Sequence, residues 1–307
     1  MASEVASPSA PSGPPDIESP VTPELERAAE RRASRRGALL ALPGVLYLVL
    51  FFAIPLGIVL VYSFATRSST GRAVLGEWSL DSYARLADSL VLEIAWRSLW
   101  LALVTTAICL LVGYPFAYHI ATRTAAVRNA LLVLVMIPFW SNLLVRTYVW
   151  RVLLGSGGPV SQLTEALGLG ETRLLFTPAA VLLGLVYGFL PFMILPLYAA
   201  IERVDFGLIE AARDLYASGW EAFRRVTLPL SRPGIVAGSI LVFAPSLGAY
   251  VTPELLGGSK TTMLGSYVVR QFLSARDWPF GSSLSFVVMT VMLAAVIIYF
   301  RVGGRTL

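Results

Sequence analysis

Two residue types are almost missing: the 307 residues hold one cysteine, Cys109, and one histidine, His119. No disulfide can close within the chain, and a Cys/His metal site would run out of ligands. Both residues sit in an apolar run, where packing is their ordinary role. Charge is scarce as well. Only 14% of residues are charged, against about a quarter in soluble domains. With 56% hydrophobic residues and a mean hydropathy of +0.71, that scarcity excludes an ordinary water-soluble domain and points to the bilayer. The net charge of +5 is modest and implies no nucleic acid, because membrane proteins concentrate arginine on their cytoplasmic side. The short alternating segments of a membrane barrel are absent. So is a nucleotide loop: in "GGSKTT", Ser259 stands where a phosphate-binding loop needs glycine before Lys260. The sequence offers no nucleophile–base set, metal cluster or intramembrane carboxylate pair. No catalytic or metal-binding residue is therefore assigned, and the chain is not read as an enzyme.

What the chain does have is six apolar stretches, at 39–64, 94–120, 130–153, 179–201, 235–256 and 284–300. A span needs roughly 20 residues to cross about 30 Å of hydrocarbon at about 1.5 Å per residue. The last stretch is the shortest and needs its flanks. Ahead of them, residues 1–36 are rich in Ser, Pro, Ala and charge and cannot bury a core, which predicts a disordered tail. A signal peptide would put a short basic region before an apolar one, so the first span is expected to stay as an anchor. Placing the N-terminus inside puts fourteen arginines on that side and seven Lys or Arg in the outer loops. This asymmetry predicts both termini in the cytoplasm.

Proline and glycine fall within five of the six stretches: Pro55 and Gly57, Pro115, Pro138, then Gly184, Gly188, Pro191 and Pro196, and finally Pro245, Gly248 and Pro253. Proline removes a backbone donor and kinks a helix. In lipid, such breaks survive where protein or a water-filled path satisfies the freed carbonyls. The expectation is an all-α, six-span kinked helix bundle that encloses a pathway and changes shape. On the outer side, "DSYARLADSLVLEIAWRS" reads as an amphipathic surface helix and residues 155–173 as a short helix between glycine clusters. Trp78, Trp96 and Trp278 fit an interfacial belt.

One inner loop is unlike the rest. "EAARDLYASGWEAFRRVTLPLSRPG", residues 210–234, carries seven charged residues. Helical spacing puts Leu208, Ala211 or Ala212, and Leu215 on one face and Glu210, Arg213 and Asp214 on another. Ser218 and Glu221 match the capping box that opens a new helix. Trp220, Phe223 and Val226 give that helix an apolar stripe, and Pro229 and Pro233 are expected to end it. Such a helix–turn–helix is either an amphipathic linker on the lipid headgroups or a dock for a cytosolic partner.

The stretch resembles the EAA motif of ABC-importer permeases, which reads E-A-A, three residues, Gly, nine residues, Ile-x-Leu-Pro. Glu210, Ala211 and Ala212 match its head; Val226, Leu228 and Pro229 match its tail, with Val for Ile. Tyr216 stands at the motif's glycine, so Gly219 is a candidate to take over the turn. "IPFWSNLLVRTYVW", "PLYAAIERVD" and "GAYVTPELLGG" are similar to the spermidine/putrescine-type permeases, first (B-type) subunit, and the likeness runs from about Arg36 to Arg301. It implies the type I ABC importer permease fold: residues 37–307 form the transmembrane permease domain of a multi-pass protein in a bacterial-type cytoplasmic membrane. A cytoplasmic coupling loop would lie at about 202–233. The implied partners are an ABC ATPase dimer docked on that loop, a second, related permease subunit and an extracytoplasmic solute-binding protein. ATP-Mg then belongs to the ATPase, and this chain carries no cofactor. The implied coupling residues are Glu210, Ala211, Ala212, Arg213, Asp214, Tyr216, Gly219, Leu228 and Pro229. Small alanines would allow close approach, and charges would set the register. The implied solute is a polyamine or a similar small molecule. A secondary transporter or channel that needs no ATPase is the alternative.

Polar groups inside spans are costly and often functional. Asn142 and Arg146 are four apart and share a face of the third stretch; Glu254 lies near the outer end of the fifth; Tyr187, Ser246 and Tyr250 are placed to face a lumen. One reading is a translocation path. In the other, Arg146 snorkels outward or pairs with Glu254 and holds the bundle together.

Overall fold

The computed structural model describes residues 41–68, 73–168, 173–259 and 261–303. The polar segment 1–36, expected as a tail, and Lys260 lie outside the described residues. The chain divides into two units, Met1–Ile58 and Val59–Leu307.

Helix α1 (Ala41–Ser63) begins in the first unit and is apolar throughout, with a mean hydropathy of 2.7. Pro55 does not end it. A wide π-helical turn, Val49–Ala53, precedes the proline, and the N–H of Ile54 reaches back to the carbonyl of Val49. Widening the helix by one residue accommodates the ring and the missing donor. The same device recurs before Pro229, where the Leu228 N–H reaches Phe223 across the π turn Phe223–Thr227.

In the second unit, a two-residue ribbon pairs β1 (Thr66–Arg67) antiparallel with β2 (Ala73–Val74). Helix α2 (Asp81–Ala84) follows, extended by the 3-10 turn Arg85–Ala87. Helix α3 (Ser89–Ala121) runs 33 residues. The segment expected as a surface helix is therefore split: α2 takes its start, and its remainder is the first turns of α3. Helix α4 (Ala125–Met136) runs into the 3-10 turn Ile137–Trp140 and is followed by α5 (Leu143–Leu154) and α6 (Pro159–Ala166). Then come α7 (Pro178–Ile201), α8 (Gly207–Asp214), α9 (Gly219–Leu230) and α10 (Arg232–Leu247). A π turn at Pro253–Gly257, α11 (Leu264–Leu273) and α12 (Trp278–Gly303) complete the described chain.

Among the described residues, three helices, α1, α3 and α7, are each long and apolar enough to cross a membrane unbroken. The third expected span is not one rod: Ala125–Trp140 and Leu143–Ala166 are bent by 87°. Prolines alone do not decide where the chain breaks. Pro115 lies inside α3, and Pro191 and Pro196 inside α7. The break instead falls at Ser141 and Asn142, both extended, with ψ 147° and 137°. There the Ser141 hydroxyl donates to the Pro138 carbonyl at 2.8 Å, and the Asn142 side chain accepts the Leu144 N–H at 2.8 Å. Polar side chains thus satisfy the backbone groups that a break in lipid would orphan. Pro233 likewise opens α10 instead of ending α9.

The core lies where α3, α7 and α10 meet, around Cys109, Ala117, Met193, Ile194, Leu197 and Val242. Gly234 and Gly238, four apart on α10, let it approach α7. A Cβ at Gly234 would come within 2.5 Å of the Ala200 Cβ, and one at Gly238 within 2.7 Å of the Met193 sulfur. Small residues at this spacing let membrane helices pack backbone to backbone, where no hydrophobic effect drives association.

Candidate functional site

The polar insert forms the helix–turn–helix that its sequence predicts. Asp205 opens α8 by accepting the Gly207 N–H at 2.9 Å. Glu210 in the first turn and Arg213 in the last complement the helix dipole. Ile209 is buried, while Leu208, Glu210, Ala211, Arg213 and Asp214 are exposed and Ala212 is half-buried. The turn is closed by two backbone bonds, Tyr216 N–H to Arg213 at 2.9 Å and Ala217 N–H to Ala212 at 3.1 Å. This is the Schellman arrangement, whose penultimate residue adopts the left-handed conformation and is usually glycine. Here it is Tyr216, at φ 62°, at a cost of about 1–2 kcal/mol for an L side chain. Gly219 does not take over the turn: it is the first residue of α9.

Ser218 starts α9 with both halves of a capping box. Its hydroxyl accepts the Glu221 N–H at 3.2 Å, and the Glu221 carboxylate accepts the Ser218 N–H at 3.0 Å. The backbone N–H of Ser218, then its hydroxyl, hold the Glu221 carboxyl below its ordinary value. Leu228 and Pro229 are half-buried at the end of α9.

The insert is tied to the core through Phe223, part of the expected apolar stripe, and through Tyr114 and Ser231, which the sequence reading passed over. Phe223 meets Tyr114 of α3 edge-on at 5.5 Å and stacks on Trp220 at 5.3 Å. The Tyr114 hydroxyl bonds the Ser231 hydroxyl at 2.8 Å, between α9 and α10. The available signals were a tyrosine one residue before Pro115 in an apolar run, and a serine framed by two prolines. Arg128 of α4 also pairs with Glu202, at the end of α7, at 2.8 Å.

A second feature is a cavity of about 300 Å³ lined by Phe139, Arg146, Gly188, Phe192, Tyr250 and Thr252, among others. Of the six candidate pathway residues, it brings together Arg146 and Tyr250. Arg146 Nε and Nη1 are buried and have no hydrogen-bond partner among the described residues, and the guanidinium lies 5.6 Å from the Phe139 ring. A Cβ at Gly188 would meet nothing within 4 Å, so this wall is open. The other four candidates do not line the cavity. Asn142 caps α5, Tyr187 packs edge-on against Trp150 at 5.5 Å, and Ser246 is buried with a hydroxyl that has no partner among the described residues. Glu254 does not pair with Arg146; it is held by Arg270 through contacts of 3.0 and 3.2 Å. Sequence reading also missed Asp277, which is 1% exposed and accepts from Arg67 at 3.3 Å and Arg85 at 2.9 Å. Among the described residues, no three of His, Cys, Asp or Glu gather where they could hold a metal ion.

Comparison with known proteins places this architecture. Two crystal structures share the fold. One is a bacterial ABC transporter involved in the import of the acidic polysaccharide alginate, with a TM-score of 0.68 and 19% identity over 92% of this chain and 99% of that chain. The other is a bacterial alginate ABC transporter in complex with its alginate pentasaccharide-bound periplasmic protein, with a TM-score of 0.69 and 18% identity over 92% and 98%. The fold is that of an ABC importer permease. Residues 113–304 match the family described as binding-protein-dependent transport system inner membrane component, and the chain belongs to that family. It is 43% identical over 257 residues to the spermidine/putrescine transport system permease protein PotB of Salmonella typhimurium, covering 83% of this chain and 89% of that protein. It is 42% identical to PotB of Escherichia coli K12, covering 83% and 93%. The chain is thus the permease component of an ABC importer, a multi-pass protein of the inner membrane.

Proposed function

We propose that this permease moves a polyamine, spermidine or putrescine, or a similar small solute, and that the insert at about 202–233 is where ATP-driven motion enters it. In this reading residues 37–307 form a six-span domain with both termini cytoplasmic, preceded by a cytoplasmic tail at 1–36. An ABC ATPase dimer binds ATP-Mg and docks on the insert, a second, related permease subunit completes the path, and a solute-binding protein delivers the solute outside. Glu210, Ala211, Ala212, Arg213, Asp214, Tyr216, Gly219, Leu228 and Pro229 lie at or beside the docking contact.

The observation that carries the docking reading is the insert itself. It is a capped helix–turn–helix with an exposed charged face, joined to the α3–α7–α10 core through Tyr114 and Ser231. A rigid-body displacement of docked helices would reach the bundle through that joint. The polyamine assignment is supported by the identity to the PotB relatives over 83% of the chain. Arg146 and Tyr250 are proposed to line the path at the cavity, and Asn142, Tyr187, Ser246 and Glu254 to lie elsewhere along it. A cationic solute must then pass the Arg146 charge, so this side chain moves, or is paired by the second subunit, during transport.

The test is uptake of labelled putrescine and spermidine by proteoliposomes holding the whole importer and its binding protein. ATP-dependent uptake of either, competed by the other, is expected. Uptake without the ATPase would overturn the coupling reading, and indifference to both polyamines the solute assignment.

A further inference from the structure

Tyr216 combines properties that its own chain does not reconcile. Its backbone is left-handed, a conformation that disfavours any L side chain. The residue is 99% exposed, so no side-chain contact within the described chain offsets that cost. The turn needs its conformation and its N–H, both of which glycine would supply without strain. An exposed backbone outlier of this kind leads from the strain to a function. The surroundings define it further. Leu215 is 82% exposed and Trp220 68% exposed, and the exposed Arg224 and Arg225 follow within the same helix. Arg213 and Asp214, both exposed, precede the turn. An exposed aromatic with exposed apolar residues beside it in sequence and mixed charge around it has the make-up of an interface anchor. A lipid surface would be satisfied by an apolar residue at any unstrained position on the insert. Strain held at a single position fits a shaped cleft.

We propose that Tyr216 is a docking anchor that inserts into an apolar cleft on the importer's ATPase subunit. Its ring then helps decide which ATPase this permease accepts. The inference rests on the docking reading above and goes beyond the motif, whose glycine at this position has no side chain to insert.

The experiment titrates the complete permease assembly, in nanodiscs and separately in lipid-free amphipol, with the importer's purified ATPase subunit. Tyr216→Gly should weaken binding about tenfold or more, as removal of an interface anchor does, and Tyr216→Phe should stay within about threefold. Hydrogen exchange at residues 215–217 should be no faster in Tyr216→Gly, because the turn is relieved of strain; this separates a lost anchor from a damaged turn. Unchanged or tighter binding of Tyr216→Gly overturns the anchor, and so does weakening seen in nanodiscs alone, which would place the ring at the lipid. Glu210→Lys runs in parallel. If it loses the ATPase while Tyr216→Gly does not, only the anchor fails. If neither loses it, the docking reading fails as well.

Discussion

Ser218 and Glu221 decide where the second helix of the insert begins, and their bonds set its pH response. Replacing Ser218 with Ala should cost about 1 kcal/mol of local stability, the usual worth of such a cap. The Glu221 pKa is lowered from its ordinary 4.5 by its bonds to Ser218. Its contribution is therefore complete above the unfolded value and is lost as pH falls through the lower folded one. In a variant whose only tryptophan is Trp220, which stacks on Phe223, fluorescence should stay flat from neutral pH down to about 5 and change only below about 4.5. Glu221→Gln should show no such transition, and an equal transition in that variant would assign the change to another group. This box was legible because both partners lie within four residues of one another. The turn before it was not: the motif shows that a glycine is missing at 216, but only the two backbone bonds show that Tyr216 itself adopts the left-handed conformation.

Between elements, the joint of α3, α9 and α10 at Tyr114 is where the proposed coupling motion would pass from the insert into the bundle. Tyr114→Phe keeps the edge-on contact with Phe223 and removes the bond to Ser231, worth about 1 kcal/mol. ATPase docking should be unchanged, while the solute moved per ATP hydrolysed should fall roughly several-fold as the joint loosens. An unaltered transport-to-hydrolysis ratio would remove Tyr114 from the transmission. That the chain spans a membrane was readable from apolar run length, because a span has a minimum length, but the 87° bend of the third stretch was not. The joint was not, since Tyr114 and Ser231 are 117 positions apart and only packing unites them. Proline position was only a partial guide for a related reason: Pro138 does sit where α4 ends and the 87° bend begins. Pro115, Pro191 and Pro196 are absorbed within long packed helices, and the chain instead breaks at Ser141–Asn142, whose polar side chains satisfy the backbone.

For the molecule as a whole, the family and a helical, membrane-spanning fold were recoverable because composition, apolar runs and the 210–229 motif are written along the chain. The cavity was recoverable only in part. Arg146 and Tyr250 line it, but Glu254, equally conspicuous in sequence, is held by Arg270. A polar residue in a span announces that it needs a partner without saying which one. The central claim is that ATP-driven work enters this permease through the insert. It is tested most directly by ATP-driven uptake, with ATPase copurification, for Ala212→Trp, a bulky side chain at a half-buried alanine on the proposed contact. The account predicts a chain that inserts in the membrane at normal level, loses the ATPase and takes up no solute. Normal ATPase association and normal uptake in this variant would contradict it.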